Sequence, residues 1–163
     1  MLKPHRYPNT EIHVTSLNPS IGKITNLEYR TYEAIVTADI VRAAHKASQE
    51  GFDAMVIGCF YDTALHDARE ISGDMLVLAP CQASVQLAMT LANTFSVIVG
   101  QRKWVHQMQS TIYEYGYGEK LMSFRDIGMN VVEFQQDHEC TRSKLIEAGR
   151  LAVTEDYAES LIL

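Results

Sequence analysis

The chain has 163 residues, of which 47% are hydrophobic and 21% are charged, and its formal net charge at pH 7 is −6. This composition is ordinary for a globular protein, and the length suffices for a core that is stable by itself. The negative charge argues against nucleic acid or an anionic membrane surface as the main partner.

Signals for targeting, membrane insertion and metal binding are weak. The sequence has no run of 18 apolar residues that would predict a transmembrane helix, and the N-terminus lacks the apolar segment of a secretory signal. The three cysteines are an odd number without paired spacing, which favours free thiols in a reducing cytoplasm. The six histidines are scattered, so we predict no metal site.

Hydrophobic periodicity predicts strands and helices that alternate along the chain. The predicted strands are 11–17, 54–59, 74–78, 95–99, 130–134 and 158–163. The predicted helices are 31–50, 63–71, 82–93, 103–115 and 137–153, with Gly51 ending the first and Asp137 capping the last. This order is typical of an α/β fold with a parallel sheet. A natural division near Thr94 predicts two α/β lobes, residues 1–94 and 95–163.

The stretch around Cys59 is the most informative part of the sequence. Residues 54–57 form a short apolar run that is typical of a central parallel strand, and helical spacing begins soon after Cys59. Ligands of open α/β sheets bind at the carboxyl ends of strands, and a helix N-terminus lowers the pKa of a nearby thiol. A free cysteine otherwise usually packs in the core. Its position therefore makes Cys59 a candidate catalytic thiol, with packing in the core as the alternative. If its pKa is lowered, Cys59 should react with iodoacetamide at pH 7 faster than Cys81 and Cys140.

Three segments carry a resemblance to a known family. They are Ile57-Gly-Cys-Phe-Tyr-Asp62 with the following Leu65-His-Asp-Ala-Arg-Glu70, Phe95-Ser-Val-Ile-Val-Gly-Gln-Arg-Lys-Trp104, and Ala158-Glu-Ser-Leu-Ile-Leu163. They resemble the hydantoin racemase branch of the aspartate/glutamate racemase superfamily, over nearly the whole chain. The resemblance implies an α/β fold of two similar lobes, each a mainly parallel sheet flanked by helices, with the active site between them. It also implies an isomerase that racemises hydantoin or amino-acid-type substrates without a cofactor.

The resemblance assigns roles to residues at two strand ends. In the family, the cysteine at the position of Cys59 is one of two that exchange a proton with the substrate carbon. A thiol suits this task because its pKa of about 8.5 can be lowered so that both protonation states coexist at neutral pH. The backbone amides of Phe60 and Tyr61 are candidates to bind a substrate oxygen. Gly100 and Gln101 are the second pair of candidates, although the family commonly has Thr or Ser in that loop.

Several neighbouring residues have a simpler structural interpretation. We expect Asp62 to cap the short helix that follows it, and His66 and Asp67 to lie on the solvated face of that helix. Cys81 also follows a strand, but in the same lobe as Cys59, which is the wrong side of the substrate for a second base. Cys140 is expected to be an ordinary helix residue. Residues 102–104 are interpreted as a surface pair followed by a packing aromatic.

The sequence leaves three functional hypotheses open. By comparison with the family, we expect the chain to lack a first strand and the second-cysteine segment that follows Leu163. The first hypothesis is a hydantoin-type racemase that uses Cys59. The second is a one-cysteine decarboxylase or isomerase of the same superfamily. The third is a catalytically silent, truncated relative. In each of them we expect a cytoplasmic homo-oligomer, and in the first two a small-molecule substrate.

Overall fold

The computed structural model of the chain describes residues 7–16 and 27–163. The described part is an α/β structure. Its helices are α1 (Arg30–Gln49), α2 (Leu65–Ile71), α3 (Pro80–Leu91), α4 (Val105–Glu114), α5 (Glu133–Gln136) and α6 (His138–Thr154). Its strands are β1 (Ala54–Val56), β2 (Leu76–Leu78), β3 (Phe95–Val99), β4 (Leu121–Asp126) and β5 (Ser160–Ile162). Within these residues, no helix combines the length and the apolar character that are needed to cross a membrane.

The strands form two parallel sheets. In the first sheet β1 pairs with β2, and Ala54 lies opposite Leu76. In the second sheet β3 is central, in the order β4-β3-β5, and it pairs in parallel with both neighbours. The mainly parallel α/β architecture predicted from the sequence is therefore confirmed. Since the carboxyl ends of parallel strands meet at one edge, the loop after β1 opens at the edge where α/β proteins bind ligands.

Each sheet is packed against apolar side chains of the helices. Helix α1 carries an apolar stripe that packs with Ile57, which follows β1, and with Val77 of β2. The buried members of this stripe are Val36, Ile40 and Ala44. All five residues of β3 are buried, as expected for a central strand with covered faces. Phe95, Val97 and Val99 share one buried cluster with Val85 of α3 and Ile112 of α4. Burial of such side chains contributes about 1.5–3 kcal/mol each.

The predicted strand at 130–134 is wrong. The Asn130 side chain accepts the N–H groups of Val132 and Glu133 (3.0 Å each), and the Glu133 carboxylate accepts the Asn130 N–H (2.7 Å). This reciprocal pattern is a capping box, which starts the helical turn α5. One of the two strands that pair with β3 is β4, which was not among the predicted strands.

The other predicted elements are largely confirmed. The five predicted helices occur, with no end moved by more than two residues, and the strands near 54, 74 and 158 are shorter than predicted. Gly51 follows α1 with a positive φ of 79°, and the Asp137 carboxylate caps α6 by accepting the Cys140 N–H (2.9 Å). The strand predicted at 11–17 is wrong for residues 11–16, which form no strand, and Leu17 lies outside the described residues.

Candidate active site

The loop that follows β1 carries Cys59 in an unusual backbone conformation. Ile57 extends the strand pairing by donating its N–H to the Leu78 carbonyl (2.9 Å). The Cys59 carbonyl then accepts the Asp62 N–H (3.0 Å), and this turn leaves the thiol half-buried. Asp62 and Ala64 have positive φ angles of 54° and 58°. Such a conformation costs a non-glycine residue about 1 kcal/mol or more, so other contacts must stabilise the loop.

The carboxylate of Asp62 supplies those contacts. It is buried, and it accepts the N–H groups of Cys81 and Gln82 (2.8 Å each) and the Tyr115 hydroxyl (2.8 Å). Cys81 and Gln82 lie in the first turn of α3, whose own N-cap residue, Ala79, has no side chain that can cap. The prediction that Asp62 caps the short helix after it is therefore wrong, because it caps α3 across the fold.

Thr63 and Glu33 surround the sulfur of Cys59. Thr63 is almost completely buried, and its hydroxyl lies 3.2 Å from Glu33 Oε1 and 3.6 Å from Cys59 Sγ. Glu33 lies in the first turn of α1 and is half-buried. Burial raises the pKa of its carboxyl, while the Thr63 hydroxyl and the charge of Arg30 act in the opposite direction. The candidate thiol is thus next to a hydroxyl that a carboxylate also contacts.

The environment of Cys59 favours the thiol over the thiolate. Burial raises the pKa of Cys59, and the negative charges of Glu33 and Asp62 raise it further. The Tyr61 N–H and the Thr63 hydroxyl oppose this by donating to the sulfur. From the sequence we expected a helix N-terminus to lower this pKa, and that expectation is wrong in direction. Desolvation and two nearby carboxylates outweigh the donors.

The two residues after Cys59 contact the core of the second sheet. Phe60 is half-buried and, like Cys59, packs against a buried cluster that contains Tyr61, Val99 and Trp104. The backbone amide of Tyr61 lowers the pKa of Cys59. Burial raises the pKa of the Tyr61 phenol well above its usual range, so this group stays neutral. The loop after β1 is therefore seated against the elements that carry the second pair of predicted residues.

Gly100 and Gln101 lie where β3 ends, as predicted. A Cβ at Gly100 would lie 2.2 Å from Cζ3 of Trp104 and 2.5 Å from the Met129 carbonyl oxygen. Only glycine fits here without movement of its neighbours. Trp104 is buried, which agrees with its interpretation as a packing aromatic.

Gln101 lines a shallow cavity of about 530 Å³. Glu28, Lys103, Asn130 and Glu133 also line this cavity, and Cys59 does not. The Lys103 ammonium donates to Glu28 (3.0 Å), and it lies 4.3 Å from the centre of the Tyr29 ring. Arg102 and Lys103 are exposed, as expected, and the ion pair of Lys103 with Glu28 was not predicted from the sequence. A larger cavity, of about 860 Å³, lies along α4, β4 and α6 and contains none of the five predicted site residues.

The other residues that the sequence analysis considered lie at positions that do not indicate a catalytic role. His66 and Asp67 are exposed on α2, as expected. Cys81 is fully buried, and burial raises its pKa to about 12, which argues against a role as a base. Cys140 is exposed in the first turn of α6. Among the described residues, neither cysteine is paired in a disulfide.

Three residues of this site were not predicted from the sequence. Glu33 lies three and seven residues before Val36 and Ile40, so helical periodicity places it on the buried face of α1, and a carboxylate there is a usable signal. Thr63 and Tyr115 give no such signal, because their contacts with Glu33 and Asp62 join distant parts of the chain.

Comparison with known proteins agrees with this architecture. The chain is 30% identical over 154 residues to the hydantoin racemase of Pseudomonas sp. (strain NS671), covering 94% of this chain and 61% of that protein. It is 31% identical over 151 residues to the hydantoin racemase of Rhizobium meliloti, covering 93% of this chain and 62% of that protein. The chain therefore spans somewhat more than three fifths of the length of these relatives.

Solved structures give the same fold. The allantoin racemase from Klebsiella pneumoniae superposes with a TM-score of 0.83 at 22% identity, covering 98% of this chain and 63% of that one. The allantoin racemase from Pseudomonas fluorescens superposes with a TM-score of 0.81 at 22% identity, covering 98% and 66%. The family model described as Asp/Glu/Hydantoin racemase matches residues 2–163. The chain therefore belongs to the Asp/Glu/hydantoin racemase family.

Proposed function

We propose that this chain contributes Cys59 as one acid/base group of a cofactor-independent racemase. The substrate is a hydantoin or an amino-acid derivative that carries a proton on a carbon alpha to a carbonyl. The observation that carries the proposal is the position of Cys59, which is a half-buried thiol in the loop at the carboxyl end of β1 in a chain of this family. Hydantoin racemases among the relatives support the substrate class.

The proposed reaction needs two proton transfers on opposite faces of the carbon. In one direction the Cys59 thiolate removes the proton and becomes a thiol, and the C–H electron pair passes to the carbonyl oxygen. An acid on the opposite face then returns a proton to the carbon. In the other direction the Cys59 thiol donates the proton and becomes the thiolate. The raised pKa of Cys59 favours the thiol at neutral pH, which suits the donating step.

We also propose roles for the backbone around the thiol. The amides of Phe60, Gly100 and Gln101 are candidates to stabilise the oxygen that gains charge when the carbon is deprotonated. The Tyr61 amide is the fourth predicted contact, but it lowers the pKa of Cys59, so we assign it to stabilise the thiolate. Two lobes, at 1–94 and 95–163, bring these groups to one cleft in this proposal.

Proton exchange in D2O tests the proposed function. Each enantiomer of a 5-substituted hydantoin is incubated with the protein, with Cys59→Ser, and with Cys140→Ser, which changes an exposed cysteine on α6. NMR measures loss of the C5 proton above spontaneous exchange, and chiral chromatography measures inversion. We expect exchange with inversion in the wild type and in Cys140→Ser, and loss of both in Cys59→Ser. Exchange that persists in Cys59→Ser contradicts the proposal.

A one-cysteine decarboxylase or isomerase is the second candidate function. The positions of the other two thiols favour this function, because Cys81 is buried in the core and Cys140 is exposed on α6. Neither position suits a partner for Cys59 on the opposite face of a substrate. In this case exchange would occur without inversion, because Cys59 would act on one face alone. Absence of both exchange and inversion, in a folded protein, would favour a catalytically silent relative.

We further propose a cytoplasmic homo-oligomer. Three apolar side chains of the first sheet are exposed, namely Val56 (69%), Leu76 (66%) and Leu78 (46%). Exposed apolar patches often mark subunit contacts. The three cysteines are free, which fits a reducing compartment. Light scattering after size-exclusion chromatography tests the assembly, and a mass of 18.3 kDa, that of one chain, would contradict it.

A further inference from the structure

Thr63 offers one hydroxyl proton to two acceptors. Its Oγ1 lies 3.2 Å from Glu33 Oε1 and 3.6 Å from Cys59 Sγ, and the larger radius of sulfur makes the second distance a hydrogen-bond distance. A hydroxyl has a single proton to donate. It therefore donates either to the carboxylate of Glu33 or to the sulfur of Cys59, and the stronger acceptor receives it.

Which of the two groups is the stronger acceptor depends on the protonation state of Cys59. While Cys59 is a thiol, the ionised Glu33 is the stronger acceptor and receives the Thr63 proton. The Thr63 oxygen then has lone pairs for the thiol S–H. When Cys59 loses its proton, the thiolate competes for the hydroxyl, and Glu33 must release it. Formation of the thiolate thus costs Glu33 a hydrogen bond and places two negative charges next to each other.

Resting on the proposed acid/base role of Cys59, we propose that Glu33 is a positioning residue that holds Cys59 in the thiol form between turnovers through the shared hydroxyl proton of Thr63. Glu33 does not contact the substrate carbon in this proposal. Glu33 instead sets the protonation state of Cys59 in the resting enzyme. A resting thiol makes Cys59 the group that returns a proton to the carbon after a base on the opposite face has removed one, so a substrate arrives at an enzyme in a single protonation state.

The other charged and titratable groups around the pair do not replace Glu33. Asp62 also acts on Cys59, but its carboxylate is occupied by two α3 amides and the Tyr115 hydroxyl. Arg30, from α1, acts on Glu33.

The remaining groups lie in the loop, on α2 and before α1. Tyr61 in the loop is kept neutral by burial, and the Glu28 charge adds to this effect. His66 of α2 is exposed and contacts the Tyr115 ring at 6.2 Å between centroids. Glu33 is therefore the carboxylate that shares its donor with the sulfur.

The pH dependence of Cys59 alkylation tests this inference without any substrate. Peptide-resolved mass spectrometry measures the rate of iodoacetamide labelling at Cys59 from pH 6 to pH 10. We expect Glu33→Gln to move the midpoint to lower pH by on the order of one unit, with about tenfold faster labelling at pH 7, because a like charge is removed. Thr63→Val should move the midpoint to higher pH, because the thiolate loses a donor.

Conservative and matched variants separate this effect from a structural one. Glu33→Asp and Thr63→Ser keep the carboxylate and the hydroxyl, so both should stay closer to the wild-type midpoint than Glu33→Gln and Thr63→Val. Asp67→Asn removes the same charge from an exposed position on α2 and should leave the midpoint unchanged. If Thr63→Val does not fold, the comparison of Glu33→Gln with Asp67→Asn decides the question alone. A midpoint that Glu33→Gln does not lower, or shifts of the same sign in Glu33→Gln and Thr63→Val, would overturn the inference.

The outcome is independent of the racemase proposal. If hydantoin exchange is absent while the two midpoints move in opposite directions, control of the Cys59 proton stands and the proposed function fails. If exchange is lost in Cys59→Ser while Glu33→Gln leaves the midpoint in place, the proposed function stands and this inference fails. In an active enzyme, Glu33→Gln should also move the pH profile of kcat/KM by the shift that alkylation shows.

Discussion

The hydroxyl of Tyr115 donates to the carboxylate of Asp62 over 2.8 Å, and this bond joins the end of α4 to the loop that carries Cys59. The two residues are 53 positions apart in the chain. The same carboxylate caps α3 through two amides. One buried side chain therefore connects the candidate catalytic loop to two helices, and the backbone strain at Asp62 is held in place by these three bonds.

Removal of the Asp62 carboxylate should destabilise the fold strongly. Asp62→Ala leaves two α3 amides and the Tyr115 hydroxyl without their acceptor, and we expect a loss of about 3 kcal/mol or more in the free energy of unfolding. Tyr115→Phe removes one donor and should cost about 1 kcal/mol. Urea unfolding measures both. Equal losses in the two variants would contradict the capping role of Asp62.

The three cysteines should react with iodoacetamide in the order Cys140, Cys59, Cys81 at pH 7. Cys140 is exposed, Cys59 is half-buried with a raised pKa, and Cys81 is fully buried with a pKa raised to about 12. This order reverses the expectation from the sequence, which placed Cys59 first. Mass spectrometry of tryptic peptides over a time course gives the three rates. Labelling of Cys59 before Cys140 would mean that a cationic or donor group stabilises the thiolate more than burial opposes it.

Local signals in the sequence predicted most of the elements correctly. The five-residue apolar run of β3 is buried throughout, and Asp137 caps α6 as its position before an amphipathic segment indicates. The prediction failed where a polar contact decided the structure. The apolar pair after Asn130 suggested a strand, but the Asn130–Glu133 capping box starts a helix. Because the sequence contains this box, it carries a signal for the helical turn.

The strand β4 was hard to find because its polar residues are satisfied elsewhere in the fold. Arg125 makes two bonds to Asp156, and Ser123 bonds both Ser96 and Asp156. Alternation alone does not identify such a strand, because its inward side chains are not all apolar. The candidate site was also predicted only in part, because some of its contacts are made between distant parts of the chain. The strand-end position of Cys59 was visible, whereas the contacts of Thr63 with Glu33 depend on packing between α1 and a distant loop.

The stability of the β4 region should fall in acid through Asp156. Hydrogen bonds from the Arg125 guanidinium hold the pKa of the Asp156 carboxyl below its ordinary value of 3.8 in the folded state. A depressed folded pKa gives stability that is present above the unfolded pKa and is lost as the pH falls through the folded pKa. Wild-type Tm should therefore exceed that of Asp156→Asn at pH 7, and the gap should begin to narrow below about pH 4 and close as the pH falls through the folded pKa. A constant gap between pH 7 and pH 3 would show that the charge of Asp156 does not contribute.

Substitution of Gly100 should displace the loop at the end of β3. A Cβ there would meet Cζ3 of Trp104 at 2.2 Å and the Met129 carbonyl oxygen at 2.5 Å, and the backbone oxygen cannot move without the chain. We expect Gly100→Ala to lower the free energy of unfolding by about 2 kcal/mol or more. Trp104 is the single tryptophan of the chain, so its fluorescence should change in the folded state of this variant.

Gly58 provides the matched control for Gly100. It lies beside Cys59, its φ is not positive, and nothing lies within 4 Å of the Cβ that alanine would add. Gly58→Ala should therefore change the free energy of unfolding by less than about 1 kcal/mol and leave the Trp104 spectrum unchanged. Urea titrations followed by Trp104 fluorescence measure both variants in one experiment. If both are equally stable, Trp104 and residue 129 can move away from the added methyl group, and the predicted amides of Gly100 and Gln101 are not rigidly held.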